Sequence, residues 1–130
     1  MKTLTREWVK KAEGDFNTLL REVRARKAPN YDAACFHAQQ CVEKYLKARL
    51  QESDVPFGKT HNLMTLLGAC VTLEPLLGVL ERPVLILNAY SVELRYPGES
   101  ADKEMARQAL AATRTLRDAA RKSLGLASER

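Results

Sequence analysis

The chain has 130 residues, of which 45% are hydrophobic and 28% charged, the length and balance of one globular domain with its own core. No run approaches the roughly 18 apolar residues of a membrane span, and Met1 to Glu7 lack the apolar stretch of a secretion signal, so a cytoplasmic protein without membrane contact is expected. The formal net charge of +5 and pI near 9.3 favour acidic partners, nucleic acid or an acidic protein, while staying ordinary for a soluble domain.

Helix signals dominate, strand alternation is nearly absent, and no repeat or linker divides residues 1–130. A first helix is predicted from Thr5 to Arg26, with Thr5 as cap and Glu7 in the first turn. Trp8, Ala12, Phe16, Leu19 and Val23 form its apolar stripe, and Trp8 is expected to be largely buried. Lys27-Ala28-Pro29-Asn30 ends it. A second helix runs from Tyr31 to Gln51, capped by Asn30. Ala34, Ala38, Cys41, Val42, Tyr45, Leu46 and Ala48 give it a broad apolar arc whose small residues admit a close neighbour.

Ser53 to Gly58 reads as a loop. Thr60 can cap a short helix carrying Leu63, Leu66 and Leu67. Pro75 and Pro83 suit first turns, so a break is placed before each. A further helix covers Val84 to Leu94 and ends before Pro97-Gly98. The last helix has Ser100 as cap, Asp102 in its first turn and Gly125 at its stop. Met105, Ala109, Ala112, Leu116 and Ala119 form its seam. Lys103, Arg107, Arg114, Arg117 and Arg121 form a basic stripe on another side. Such elements bury their seams only against each other, which predicts an all-α, up-and-down antiparallel bundle of four to five helices.

The spacings of Cys35, Cys41 and Cys70 fit no zinc pattern and suggest free thiols, buried at Cys41 and Cys70. No metal or cofactor is expected. His37, Gln40, Lys44 and Lys47 fall within about 80° on the second helix, and two cations with an amide and an imidazole could grip a phosphate or nucleotide. The alternative is a solvated face on which Glu43 pairs with Lys47 at i,i+4. Arg95, beside Tyr96 near a helix end, can hold an anion bidentately, its own helix-end carbonyls, or Glu43. His37, His61 and Arg95 are the candidates for catalysis, the histidines as general bases and the arginine as phosphate clamp. Packing or capping roles are the alternative for both histidines, and packing for Tyr90 and Tyr96.

Four segments resemble the minimal HEPN proteins of prokaryotes: Trp8 with Ala12 and Asp15; Phe36-His37-Ala38-Gln39-Gln40-Cys41-Val42-Glu43-Lys44-Tyr45-Leu46-Lys47-Ala48; Thr60-His61-Asn62-Leu63 with Leu66; and Tyr90 with Leu94-Arg95-Tyr96-Pro97-Gly98. The resemblance spans nearly the whole chain. It implies a bundle that dimerises and that pairs with a minimal nucleotidyltransferase, often as a toxin–antitoxin system. Other family members are metal-independent ribonucleases, or bind nucleotides or RNA. The ribonuclease branch carries Arg followed after four to six residues by His, and that motif is missing here. Arg26 precedes His37 and Arg49 precedes His61 by longer gaps, and no histidine follows Arg95. A partner subunit is therefore the expected role, with nucleotide or RNA binding, or a ribonuclease lacking the usual motif, as alternatives. The leucine-rich middle (Leu63, Leu66, Leu67, Leu73, Leu76, Leu77, Leu80) and the apolar second helix offer more apolar surface than one chain covers, so a two-fold homodimer is expected.

Overall fold

The structure is a computed structural model that describes residues 1–93 and 97–127, with only the backbone for residues 91–93. Helix α1 spans Thr3–Arg24, α2 Tyr31–Glu52 and α3 Leu63–Leu73. A 3-10 helix over Pro75–Leu80 leads into α4, Glu81–Glu93, and α5 spans Lys103–Ser123. Among the described residues there is no strand. The chain is an all-helical bundle, as the hydrophobic periodicity predicts.

The starts of α2, α3 and α5 are capped by side chains, though not always at the predicted residue. Asn30 caps α2 by accepting from the Ala33 amide at 2.9 Å. Asp102, not Ser100, caps α5, accepting from the Met105 amide at 2.8 Å. Asn62, not Thr60, caps α3, accepting from the Thr65 amide at 3.1 Å. In both corrections the cap is the residue immediately before the first helical turn, where a short side-chain acceptor reaches the amide three residues on. Thr60 supports the turn before α3 by accepting from the Asn62 amide. Thr5 does not cap α1, which starts two residues earlier. It is fully buried and donates to Glu52 at 2.9 Å, pinning the start of α1 to the end of α2. Gly125, at φ 73°, stops α5. The Leu126 and Gly125 amides turn back to the Arg121 and Lys122 carbonyls, a closure that requires a left-handed residue.

α2 is the axis of the domain. Most of its circumference is buried, with Ala34, Ala38, Cys41, Tyr45 and Ala48 all at 0% exposure, and the edge of Phe36, His37, Gln40 and Lys44 stays open. A helix buried over so much of its circumference needs neighbours on most sides. α1 lies antiparallel to it, as shown by the contacts of Thr5 with Glu52, Glu13 with Tyr45 and Asp15 with Lys44. α5 runs parallel to α2. The Ala101 amide meets Asp32 near one end (2.6 Å), and Arg49 meets Ser123 near the other (2.8 Å). The intervening α3, 3-10 helix and α4 make the return passage. The Leu63 amide bonds Asn88, Gln39 bonds the Leu87 carbonyl, and Cys70 bonds the Leu46 carbonyl.

The three cysteines are buried free thiols. Burial raises the Cys35 thiol to about 11 and the Cys70 thiol to about 12, and pushes Cys41 up as well, so all three stay protonated at neutral pH. Trp8 is partly covered, intermediate between the core and the surface. It lies near the exposed start of α1, where Phe57 from the α2–α3 loop meets it edge to face at 5.9 Å.

Candidate functional site

Three carboxylates organise the polar groups along α2. Glu13 accepts from the Tyr45 hydroxyl at 2.5 Å and from Arg117 through Nε at 2.7 Å and a terminal nitrogen at 2.5 Å. Arg121 donates to the Tyr45 hydroxyl at 3.1 Å and lies 3.8 Å from Glu13. The Phe16 ring faces Arg117 at 4.4 Å. Burial raises the Glu13 carboxyl, but the hydrogen bonds of Arg117 and Tyr45 and the charges of Arg117 and Arg121 outweigh it, and the group is held below its ordinary value. Burial and the hydrogen bond to Glu13 push the Tyr45 hydroxyl up. The predicted basic stripe of α5 is thereby divided. Lys103, Arg107 and Arg114 are exposed, whereas Arg117 and Arg121 are about 95% buried and tie α5 to α1 and α2.

The second carboxylate, Asp15, takes His37 Nδ1 at 2.8 Å and Lys44 Nζ at 2.5 Å. The third, Glu43, takes Lys47 Nζ at 3.2 Å and His61 Nδ1 at 3.0 Å. Lys47 Nζ also stands over Trp8 at 5.5 Å and Phe57 at 5.7 Å. The pairing of Glu43 with Lys47 is thus a buried contact and not a solvated one. A cation desolvated against two aromatic faces and a carboxylate is compensated where it stands.

The predicted cluster is therefore split. His37 and Lys44 share Asp15 on the α1 side. Lys47 is committed to Glu43 and the aromatic pair. Gln40 lines a groove of about 570 Å³ with Phe36, Glu43, His61 and Tyr90. Arg95 and Tyr96 lie outside the described residues. His37 and His61 are held by different acids, and the α2 positions involved, 37 and 43, are about 9 Å apart along the helix. His61 presents a side chain that is 79% exposed, with Nδ1 engaged by Glu43. An imidazole oriented by a carboxylate has the geometry of a general base. Lys47, which shares Glu43 with His61, is bound to that carboxylate.

A family model described as HEPN domain matches residues 5–123. The chain belongs to the HEPN family. Among curated proteins and among solved structures no match was found. In this HEPN chain the signature residues act largely as clamps between helices. Gln39 joins α2 to the Leu87 carbonyl of α4, Lys44 joins α2 to α1, and His61 joins the start of α3 to Glu43. Glu13, the hub of the largest network, escapes notice in the sequence. The readable signal for it is an acid beside the apolar stripe of α1, with Arg117 and Arg121 one turn apart on α5.

Proposed function

We propose that the protein is a dimeric HEPN partner subunit that works with a minimal nucleotidyltransferase in a toxin–antitoxin type of system. The observation that carries this reading is an unpaired apolar face. Leu76 and Val79 are each 80% exposed, and Leu85, Ile86 and Leu73 are 54%, 38% and 37% exposed. Such surfaces on a soluble domain mark interaction sites. The buried cations, by contrast, are spent on holding helices together. Coexpression with a nucleotidyltransferase-type neighbour is expected to give co-elution in size-exclusion chromatography. Separate elution at every salt concentration would end the reading.

Nucleotide or RNA binding is a second reading, supported by Lys103, Arg107 and Arg114, which stay exposed along α5. Calorimetry with nucleotides and short RNAs is expected to show binding that weakens steeply as salt rises, the mark of phosphate contacts. Absence of heat at low salt would dismiss it. A ribonuclease would have to use His37 or His61 singly, since each is bound to its own carboxylate.

A further inference from the structure

The side of the bundle formed by α1 and α5 carries cations that internal packing does not use. α1 runs antiparallel to α2 and α5 parallel to it, so α1 and α5 pass each other antiparallel. The bonds between Glu13 and Arg117 fix their register. Along α1 from Glu13, steps of four, three and four residues give Asn17, Leu20 and Arg24, with Arg21 beside them. Along α5 back from Arg117, steps of three, four, three and four residues give Arg114, Leu110, Arg107 and Lys103. Each series follows one edge of its helix, and the two edges run side by side from the Glu13–Arg117 contact. Leu20 comes level with Leu110, and Arg24 with Arg107.

Arg21, Arg24, Lys103, Arg107 and Arg114 are exposed. Among the described residues no carboxylate pairs with any of them. Like charges gathered on one face repel one another and cost the fold stability. Glu104 is turned about 100° from Lys103, and Asp118 lies one turn beyond Arg114 toward the Glu13 end, so neither sits among the cations. Glu22 of α1 is taken by the Asn30 amide. Within the cationic set the surface is hollow and partly apolar. A concavity of about 410 Å³ is lined by Asn17, Leu20, Arg21, Arg24 and Ala25, and Leu20 is partly exposed. Shape and charge together select the occupant. A sugar–phosphate backbone would meet the cations but has nothing apolar to set on Leu20. Bases bind by stacking on aromatic faces, and the two edges carry no aromatic residue. A helix about 10–12 Å across answers both features. Its apolar seam would lie over Leu20, and acids at three- and four-residue spacing beside the seam would meet cations of the same spacing.

We infer that the α1–α5 face around Leu20 docks an acidic amphipathic helix of a protein partner. The inference rests on the partner-subunit reading above only in taking the partner to be a protein. Fluorescence anisotropy of the full chain with a labelled synthetic helix of about 20 residues, a leucine seam bordered by glutamates, tests it. The peptide is expected to bind at micromolar concentration in low salt. A peptide of the same composition in shuffled order should bind at least about tenfold more weakly. Arg24→Glu and Arg107→Glu should each raise the dissociation constant about tenfold. Lys59→Glu, at an exposed lysine in the loop between α2 and α3, makes the same change in net charge and should leave the constant unaltered. Far-UV circular dichroism would establish that each variant is folded. No binding in low salt, equal binding of the shuffled peptide, or binding indifferent to the two arginine variants overturns the inference. Single- and double-stranded RNA serve as competitors. RNA that binds more tightly than the peptide, and loses that affinity in the same two variants, overturns the protein helix as occupant. The probe is synthetic, so its failure leaves co-elution with the nucleotidyltransferase-type partner standing, and a failure of co-elution leaves the peptide result standing.

Discussion

A Glu13→Ala protein is expected to lose about 3 kcal/mol of stability, the low end for breaking a buried ion pair because the carboxylate is partly exposed. The loss comes from what is left behind. The side chains of Arg117 and Arg121 are only 6% and 8% exposed, and both would keep their charge without the acid that holds it. The Tyr45 hydroxyl would lose its acceptor as well. Glu13→Gln keeps the shape and isolates the charge. Glu13 is held below its ordinary value of 4.5, so its ionised form is favoured by the fold. Its contribution is fully present above that ordinary value and is lost as pH falls through the lowered one. The stability gap between the unaltered and Glu13→Gln proteins should therefore narrow on acidification. Glu52, lowered chiefly by the Lys2 backbone amide and then by the Thr5 hydroxyl, acts in the same direction in both proteins and cancels in the comparison. Urea titrations at several pH values measure the gap, and a gap independent of pH would contradict the network.

The bundle was legible because each long helix announces itself. α1 and α5 have apolar seams of regular spacing, and α2 has a small-residue arc ending in clear loop signals. The caps were less legible. Thr5, Thr60 and Ser100 are all acceptable capping residues, and the choice among neighbouring Ser, Thr, Asn and Asp residues depends on which one the tertiary contacts leave free. Thr5 cannot cap α1 because the helix already begins at Thr3, which places Thr5 inside its first turn. The parallel pairing of α2 with α5 was hidden for another reason. Seams show that helices pack but not in which direction a distant neighbour runs.

The candidate site was half legible. Helical geometry places His37, Gln40, Lys44 and Lys47 on one edge, and the structure keeps them there. It gives no information on the acids of other elements, and those acids decide the outcome. Asp15 draws His37 and Lys44 toward α1, while Glu43, on the same helix, takes Lys47 and reaches His61. The basic stripe of α5 failed in the same way. Arg117 and Arg121 extend the spacing of Lys103, Arg107 and Arg114, yet burial against Glu13 removes them from any surface. An excess of cations in a sequence counts toward nucleic-acid binding only after the buried ion pairs have been subtracted.

Phe16→Ala should be the other strongly destabilising change, at about 3–5 kcal/mol, the usual cost of truncating a buried phenylalanine. Phe16 is 7% exposed and belongs to the hydrophobic core that the helices share. Its ring also gives Arg117 a face at 4.4 Å, so the substitution opens a cavity and withdraws a partner from a buried cation. Phe16→Leu separates the two effects. Leucine refills most of the volume but offers no ring, and the stability still missing reports the cation–ring contact, about 0.5–2 kcal/mol. Because Phe16 and Glu13 both act on Arg117, their losses should not add. In a double-mutant cycle with Glu13→Ala, the departure from additivity should exceed about 0.5 kcal/mol, the margin within which independent sites usually add. The sign follows from the shared partner. Once Glu13 is gone, Arg117 is free to turn toward solvent, and removing the ring beneath it then costs less than it does in the intact network. Urea midpoints of the two single variants and the double variant give the coupling directly. Losses that sum within the margin would mean that Arg117 does not connect the ring to the acid.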